Sequence, residues 1–290
     1  MRWQAALLGI TVIWGGTFVV VQDAVEKIPP FRYIAWRFAI AAAVMIAAGG
    51  LRGLRRRDLV PGAIAGALLV AGYGFQTVGL QYTSASNAGF ITGMFVVFTP
   101  LFVAVLHRRS PPRASLLGVL AAAIGLYLIA APGRIGLGFG DSLELACAAS
   151  FAAHIMALDR YSESMPTFRF ATLQLSVVAI VATLWTGVAE EARVVAFDAS
   201  VWIAIVVTAV FASALAFFVQ ARAQRVVAPT RTAIILTSEP VFAGLFGALA
   251  GERLGARGWA GAACILAGIF IAERWGRAAE ELSEPLAAPT

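Results

Sequence analysis

Charged side chains are scarce in this chain of 290 residues, in which Asp, Glu, Lys and Arg together make up 13% of the sequence. A soluble domain carries about a quarter charged residues. Hydrophobic residues reach 60%, and the mean hydropathy is +0.83. The chain lacks the polar surface that would cover it in water, and the composition predicts an all-α integral membrane protein.

Residues suited to catalysis or metal binding are also few. The sequence has two cysteines and two histidines, and it lacks H-E-x-x-H, G-x-S-x-G and the Walker phosphate loop. These absences argue against a membrane protease, a zinc enzyme and a nucleotide-driven pump. Cys147 and Cys264 fall in apolar runs and are expected to pack between helices. We expect a protein that is not an enzyme and that uses no metal or cofactor.

Long apolar runs account for most of the chain. A helix that spans a bilayer needs about 20 apolar residues, and ten windows of roughly this length follow one another with short connections. They cover residues 3–22, 31–50, 59–81, 85–107, 114–132, 140–158, 167–188, 200–220, 228–250 and 256–275. The first window is long, polar at Trp14–Thr17 and not followed by an A-x-A site, so we interpret it as a span rather than a cleaved signal peptide.

Basic residues lie in short clusters between these windows. With the N-terminus placed in the cytoplasm, fifteen of them fall on the cytoplasmic side and six on the other, and Arg37 lies within the second window. This excess predicts that both termini are cytoplasmic. The same clustering argues against nucleic acid as a partner, despite the net charge of +6.

The two halves of the chain resemble each other. Matching positions keep an offset of 140 to 143 residues: Gln81–Ala85 with Gln224–Ala228, Pro100 with Pro240, Gly118 with Gly261, and Gly125 with Gly268. Because five spans is an odd number, the second copy crosses the membrane in the opposite sense. We predict two inverted five-helix repeats, residues 1–135 and 136–276, and a disordered cytoplasmic tail at 277–290. Secondary transporters often have this construction, and the two prolines are expected to interrupt matching helices beside the site.

Glu239 is a carboxylate inside the apolar run from Ala228 to Ala250. A charge at the centre of a membrane helix costs about 3 kcal/mol on insertion scales, so this side chain should face a protein interior or a wet cavity. Two interpretations stay open. Glu239 binds a substrate ammonium group or a proton, or it bonds backbone groups around Pro240.

Two more ionisable residues fall within predicted spans. Arg37 either grips a substrate carboxylate, pairs with Glu239 or extends toward the membrane surface. His154 lies near the middle of the sixth span, where the repeat alignment sets it against Thr17. Its imidazole either bonds a ligand or is an internally bonded packing residue.

Uncharged polar and aromatic residues in or beside the spans complete the candidate cavity. They are Trp14, Thr17, Trp36, Gln76, Tyr82, Asn87 and Phe90. Such polar groups bond between helices as readily as they bond ligands, and the aromatic rings suit an apolar substrate. Among these polar groups, Asn87 and Tyr82 are better site candidates than Gln174 or Gln220.

Several short motifs together carry a family resemblance: Trp14–Phe18, Arg37–Phe38, Tyr82–Ala88, Thr99–Pro100, Gly140–Asp141, Glu239–Pro240 and Gly251–Leu254. With them, residues 3 to about 275 resemble the drug/metabolite transporter superfamily in its EamA-type ten-span branch. The stretch Ser86–Gly93 is most similar to the YddG-type exporters of aromatic and neutral amino acids. The first repeat departs from the family pattern, because His107–Arg109 stands where the second repeat has Gly251–Leu254.

The resemblance implies a central cavity lined by spans one to four and six to nine, with spans five and ten behind them. It implies a secondary transporter of the cell inner membrane that exports amino acids, aromatic or neutral, or similar small metabolites by alternating access. An exporter of cationic drugs or other metabolites and a non-saturable channel stay open as alternatives. The expected partners are a small-molecule substrate and the lipid bilayer, with proton coupling left open.

Overall fold

The computed structural model describes residues 2–83, 85–108, 111–129, 138–189, 197–249 and 255–281, although some side chains within its helices are not described. All of the regular secondary structure in these residues is helical. The α-helices are α1 (Arg2–Lys27), α2 (Pro30–Ala47), α3 (Arg56–Gly79), α4 (Ala85–Gly93), α5 (Phe95–His107), α6 (Arg113–Ile129), α7 (Phe139–Tyr161), α8 (Thr167–Ala189), α9 (Ala199–Val207), α10 (Ala216–Ala223), α11 (Pro229–Leu236), α12 (Glu239–Leu249) and α13 (Ala256–Glu281). A π-helical segment, Thr208–Leu215, joins α9 to α10.

Helical segments occupy each of the ten predicted apolar windows. Five of them are long and apolar enough to cross a membrane: Pro30–Ala47, Arg56–Gly79, Phe139–Tyr161, Thr167–Val188 and Ala199–Ala223. Shorter apolar helices cover Ile91–Leu106, Arg113–Leu128 and Ala256–Ile271. The last helix continues to Glu281, so any disordered tail begins after the predicted position 277, and residues 282–290 lie outside the described part of the chain.

Two of the windows contain a broken helix. Met94 separates α4 from α5, and Thr237 and Ser238 separate α11 from α12. Pro240 follows its break directly, in the first turn of α12, where a missing N–H costs nothing. Pro100 was predicted to interrupt its helix, but it lies inside α5, and the break comes six residues earlier at Met94. Glycine at the end of α4 explains this position better than proline does, because Gly93 weakens the last turn.

The π-helical segment changes what the backbone can offer. An i→i+5 turn inside an α-helix is rare and releases backbone groups from the regular hydrogen-bond ladder. Here the carbonyl oxygen of Ala212 accepts hydrogen bonds from two side chains on other helices, Trp14 of α1 and Arg37 of α2. Small residues fill the segment, including Ala209, Ala212 and Ser213, which are fully buried and allow α2 to approach.

The core consists of two large apolar clusters. One includes Leu7, Ile10, Val96, Ile155 and Ile234, and the other includes Phe38, Leu69, Leu175, Val178 and Phe217. Trp14 and Phe151 pack against both clusters. Behind the first cluster, α6 and α13 pack closely through glycines, which let two backbones approach.

An ion pair joins neighbouring helices near each end of α2. Beside its start, Lys27 Nζ lies 3.2 Å from Asp198 Oδ2 just before α9. Beyond its other end, Arg169 Nη1 of α8 donates to Asp58 Oδ2 of α3 at 2.8 Å. Asp58 is buried and also accepts from the Arg55 backbone N–H, which caps the start of α3.

Candidate functional site

A cavity lies where α1, α2, α3 and α4 meet α7, α10 and the break between α11 and α12. Its space accessible to the centres of water molecules measures about 80 Å³, and a single water needs about 10–15 Å³ by that measure. It is lined by Trp14, Thr17, Val21, Tyr33, Ile34, Arg37, Tyr73, Gln76, Thr77, Leu80, Thr92, Phe95, Phe151, His154, Ile155, Phe217, Gln220, Leu236 and Glu239. Aromatic rings and a few polar groups thus enclose room for several waters or a small ligand.

Arg37 is the cation in this lining. Its Nε donates to Ser213 Oγ at 2.8 Å, and its Nη2 donates to the Ala212 carbonyl at 3.3 Å and reaches Tyr73 Oη at 3.5 Å. The guanidinium carbon lies 5.0 Å from the centre of the Tyr73 ring and 5.3 Å from that of Phe38, which adds cation–π attraction. These bonds anchor the guanidinium in the wall of the cavity, and the Tyr33 side chain also lies beside it.

Trp14 is positioned by the same backbone feature as Arg37. Its indole Nε1 donates to the Ala212 carbonyl oxygen at 2.8 Å, and its ring lies 5.8 Å from that of Phe217. One turn later, Thr17 Oγ1 donates to the Trp14 carbonyl at 2.9 Å. The sequence identified both residues as cavity candidates, but it gave no indication of the π-helical segment that orients them.

Glu239 stands at the first position of α12, directly after the helix break. The N-terminus of a helix favours a negative charge because its first N–H groups point outward. The break is fastened to α1 by a 2.8 Å hydrogen bond between the hydroxyls of Thr11 and Ser238. Among the residues that the structure describes, no salt bridge joins Glu239 to Arg37. The Arg37 guanidinium is instead anchored to the π-helical segment, an arrangement outside the three alternatives that the sequence offered.

His154 is buried within the cavity wall. Its Nε2 lies 2.7 Å from Gln174 Oε1, and its ring stands at 90° to that of Phe217. Because the glutamine oxygen only accepts, this bond holds the proton of a neutral ring on Nε2. Gln174 therefore bonds between α8 and α7, and it orients a cavity residue in doing so.

Polar amides also reach the cavity. Gln76, a site candidate from the sequence, lines it, and so does Gln220, which ranked as a weaker candidate. The Nε2 of Gln220 donates to Gln224 Oε1 at 3.2 Å, whereas its buried Oε1 has no protein partner. Gln220 thus lines the cavity while it bonds to Gln224 at the end of its own helix, α10. The helical periodicity of the sequence cannot reveal that Gln220 faces the cavity, because the π-helical segment before it shifts the face that the following turn presents.

Two of the candidates lie away from the cavity. Trp36 is 45% exposed and packs edge-on against Trp202, with their ring centres 5.3 Å apart. Tyr82 is 62% exposed and stands against Phe139. Tyr82 lies just beyond the end of α3, where aromatic residues anchor at membrane interfaces, and Trp36 lies in the second turn of α2. Asn87 and Phe90 belong to α4, but their side chains lie outside the described residues.

Sequence reasoning missed a buried carboxylate beside the cavity. Glu144 of α7 is fully buried, and its Oε2 accepts a 2.8 Å hydrogen bond from Thr92 Oγ1, which lines the cavity from α4. Its presence inside the apolar window 140–158 was the signal available in the sequence. Within the described part of the chain, no group of three or more His, Cys, Asp or Glu side chains is arranged to hold a metal.

Known proteins resemble this chain along nearly its whole length. An "Uncharacterized transporter" of Archaeoglobus fulgidus is 33% identical over 264 residues, covering 90% of this chain and 82% of the relative. The "Uncharacterized transporter YyaM" of Bacillus subtilis is 24% identical, covering 92% of each. The "Uncharacterized inner membrane transporter YedA" of Escherichia coli is 26% identical, covering 88% of this chain and 85% of the relative. None of these names specifies a substrate.

One solved crystal structure has the same fold. It superposes on this chain with a TM-score of 0.79 and covers 96% of this chain and 98% of its own, at 22% identity. At that identity the match shows the fold alone. The sequence model of the EamA-like transporter family matches residues 1–131 and again residues 138–273. The prediction of a multi-pass protein of the inner membrane is confirmed. The chain belongs to the EamA-like transporter family.

Proposed function

We propose that this transporter exports a small zwitterion, in the first place an aromatic or neutral amino acid, through the cavity between its two halves. The observation that carries the proposal is that one cation, Arg37, and one carboxylate, Glu239, line the same aromatic-walled cavity. An amino acid carries both complementary charges about one carbon apart. Charge-assisted hydrogen bonds of this kind are about twice as strong as neutral ones.

The apolar part of the cavity agrees with this substrate class. Trp14, Tyr73, Phe95, Phe151 and Phe217 face the same space as the two charged residues. Aromatic walls favour aromatic and aliphatic side chains by area burial and by ring-to-ring contact worth about 0.5–1.5 kcal/mol. A strongly charged side chain would lose its hydration there without a partner.

The arrangement of the chain supports a carrier rather than a pore. We propose ten membrane spans in two inverted repeats, residues 1–135 and 136–276, with both termini in the cytoplasm. Three features favour the repeat: the family model matches twice, a helix breaks in the fourth and ninth windows, and α6 packs against α13 through equivalent glycines. Broken helices beside a site between repeats suit alternating access, in which the halves rock about bound substrate.

An exporter of organic cations is the main alternative. Glu239 and the aromatic wall would suit a lipophilic cation. Arg37 opposes it, because a second positive charge in the same cavity repels the ligand. A non-saturable channel is the other alternative, and saturation kinetics separate it from a carrier.

The test is uptake of labelled phenylalanine into proteoliposomes that contain the purified protein, with unlabelled phenylalanine trapped inside. Competitors that each lack one charge make the test specific: phenethylamine has no carboxylate, and 3-phenylpropionate has no amine. We expect saturable exchange that phenylalanine or leucine blocks and that neither single-charge analogue blocks at tenfold higher concentration. Exchange blocked by tetraphenylphosphonium instead, or flux that never saturates, would refute the amino-acid assignment.

Substitutions of Arg37 and Glu239 test which charge of the substrate each residue binds. Arg37→Gln should reduce exchange at least tenfold and remove the discrimination against phenethylamine, since the carboxylate then has no cation to meet. Glu239→Gln should do the same for 3-phenylpropionate. Arg160→Gln and Glu163→Gln change exposed residues in the last turn of α7 and just after it, and they serve as matched controls with unchanged exchange. If Arg37→Gln and Glu239→Gln exchange phenylalanine at the wild-type rate, the zwitterion site is wrong.

A further inference from the structure

Glu144 occupies an unusual position one side chain away from the cavity. It lies in the second turn of α7, it is fully buried, and only the Thr92 hydroxyl separates it from the cavity lining. On its other side it touches α3, where a Cβ atom at Gly79 would come within 2.8 Å of Glu144 Oε1. Glu144 therefore sits at the junction of α3, α4 and α7.

The carboxylate is only half satisfied. Thr92 Oγ1 bonds to Oε2, whereas Oε1 is buried and has no hydrogen-bond partner. Its neighbours on α3 and α4 are Gly79 and Thr92, and the ionisable groups near it on α7 are Asp141 and Cys147. Asp141 bonds to Thr83 Oγ1 and to the Gly138 N–H. Among the described residues, no basic side chain pairs with Glu144.

An ionised carboxylate is poorly suited to these surroundings. Burial of a charge without a counter-charge, and with one oxygen lacking a donor, is among the costliest arrangements inside a protein or a membrane. In the neutral acid, the O–H can donate to Thr92 Oγ1, and the oxygen without a partner is then an uncharged acceptor. The neutral form thus satisfies the site better than the charged form does.

We propose that Glu144 is a proton-binding site of this transporter, which holds its proton while α4 is closed against α7 and releases it to cavity water when Thr92 moves away. The inference rests on the proposed function only in taking the cavity as the transport path. Closure of α4 and proton binding are then coupled, because each favours the other. The break at Met94 allows α4 to move separately from α5.

A purely structural contact between helices is the simpler reading of this pair. Hydroxyl pairs already serve that purpose elsewhere, as Tyr33 with Thr208 and Thr11 with Ser238 show, and they leave no charge to bury. A structural role predicts that the contact does not depend on pH. A proton site predicts that ionisation of Glu144 opens it.

A cysteine beside this pair can report whether the contact between Glu144 and Thr92 depends on pH. Cys147 is fully buried, one turn along α7 from Glu144, and its Sγ lies 3.9 Å from Thr92 Oγ1. Separation of α4 from α7 would expose this thiol to the cavity. The other cysteine, Cys264, is in α13 and can be removed by Cys264→Ala.

The experiment measures the rate at which N-ethylmaleimide labels Cys147 in the Cys264→Ala protein in nanodiscs, between pH 5 and 9. Only the thiolate reacts, so the logarithm of the rate rises with a slope of about one per pH unit from the thiol alone. If opening requires ionised Glu144, a second proton must leave and the slope approaches about two. Adding Glu144→Gln should return it to about one, since the amide cannot ionise.

The outcomes are distinct. A slope of about one with Glu144 present, or no labelling at any pH, overturns the proposal without any variant having to fold. Equal slopes with and without Glu144→Gln also overturn it. Thr92→Val removes the hydroxyl that holds α4, so labelling should increase at pH 6. The assay needs no substrate, so phenylalanine exchange can fail while the slope of two is observed, and the proposed substrate and the proton site are then judged separately.

Discussion

Ala212 shows how a residue without a functional side chain positions two that have one. Its carbonyl oxygen accepts from Trp14 Nε1 at 2.8 Å and from Arg37 Nη2 at 3.3 Å. Both donors line the cavity. The π-helical segment that frees this oxygen thus fixes the orientation of the aromatic wall and of the cation together, and a change at either donor should be felt by the other.

Trp14→Phe tests this shared acceptor. The variant keeps an aromatic ring and removes one N–H donor, so we expect a loss of roughly 0.5–1.5 kcal/mol in the free energy of unfolding. Thermal unfolding in detergent micelles measures it, with Trp259→Phe on the exposed face of α13 as the control. A melting temperature that falls equally in both variants would mean that the bond to Ala212 contributes nothing particular.

At the scale of helices, two ion pairs differ in burial: the pair of Asp58 is buried, and the pair of Asp198 is exposed. Asp58 is 2% exposed and its partner Arg169 is 12% exposed, whereas Asp198 is 56% exposed and Lys27 is 46% exposed. Both aspartates also bond the backbone at the start of a helix, α3 and α9 respectively. Surface pairs contribute little, but an unpaired buried charge is costly.

Asp58→Asn should therefore destabilise the protein by about 3–5 kcal/mol, because it leaves the Arg169 guanidinium buried beside a neutral amide. Asp198→Asn should leave the melting temperature unchanged, since asparagine caps a helix as well as aspartate does. Thermal unfolding of the two variants side by side decides the matter. Equal melting temperatures would show that water reaches the Asp58 pair and that it behaves as a surface contact.

Acid should act on the exposed pair in a defined range of pH. Hydrogen bonds from Ser200, from the Val201 N–H and from Lys27 lower the pKa of Asp198 from 3.8 to about 2. A group whose pKa is lowered by folding stabilises the native state above its ordinary pKa, and this contribution is lost as the pH falls toward the folded value. The contact at the start of α9 should thus persist at neutral pH and weaken only between about pH 4 and 2.

The sequence predicted elements better than it predicted irregularities. Apolar windows gave helices in the right places because every backbone group must be bonded within a membrane, which makes helix the default. The break beside Pro240 was expected, but the break at Met94 and the π-helical turn were not predicted, and Pro100 was misleading. These features depend on tertiary neighbours, such as the Thr11 hydroxyl that bonds to the Ser238 hydroxyl at the second break.

The candidate site divides in the same way. Arg37, Glu239 and His154 were recognisable because ionisable residues are expensive in a membrane and must face protein or water. Glu144 satisfies the same criterion, but it was not among the predicted site residues, because Glu239 is the more isolated carboxylate in the sequence. Tyr82 was placed by its motif and Trp36 by its aromatic character, but no pattern in the sequence indicates the direction in which either side chain points.

For the whole molecule, the contact between α6 and α13 relates the two halves. A Cβ atom at Gly125 would lie 2.5 Å from the Gly261 carbonyl oxygen, and one at Gly268 would lie 2.6 Å from the Gly118 carbonyl oxygen. The offset of 143 residues exchanges Gly118 with Gly261 and Gly125 with Gly268. The first contact therefore becomes the second when the halves are exchanged, as an axis of approximate two-fold symmetry requires.

Gly125→Val and Gly268→Val should then have equal effects. Each inserts a branched side chain against a backbone oxygen and should cost about 1–3 kcal/mol through overpacking. Gly187→Val is the matched control, because a Cβ atom there meets nothing within 4 Å and the substitution should not lower the melting temperature. If the two halves are equivalent, the two melting temperatures should fall together, and the double variant should fall by less than their sum because one separation of α6 from α13 relieves both clashes. A large loss in one variant with none in the other would show that α6 and α13 are not related by the repeat, and the inverted-repeat arrangement would lose its strongest geometric support.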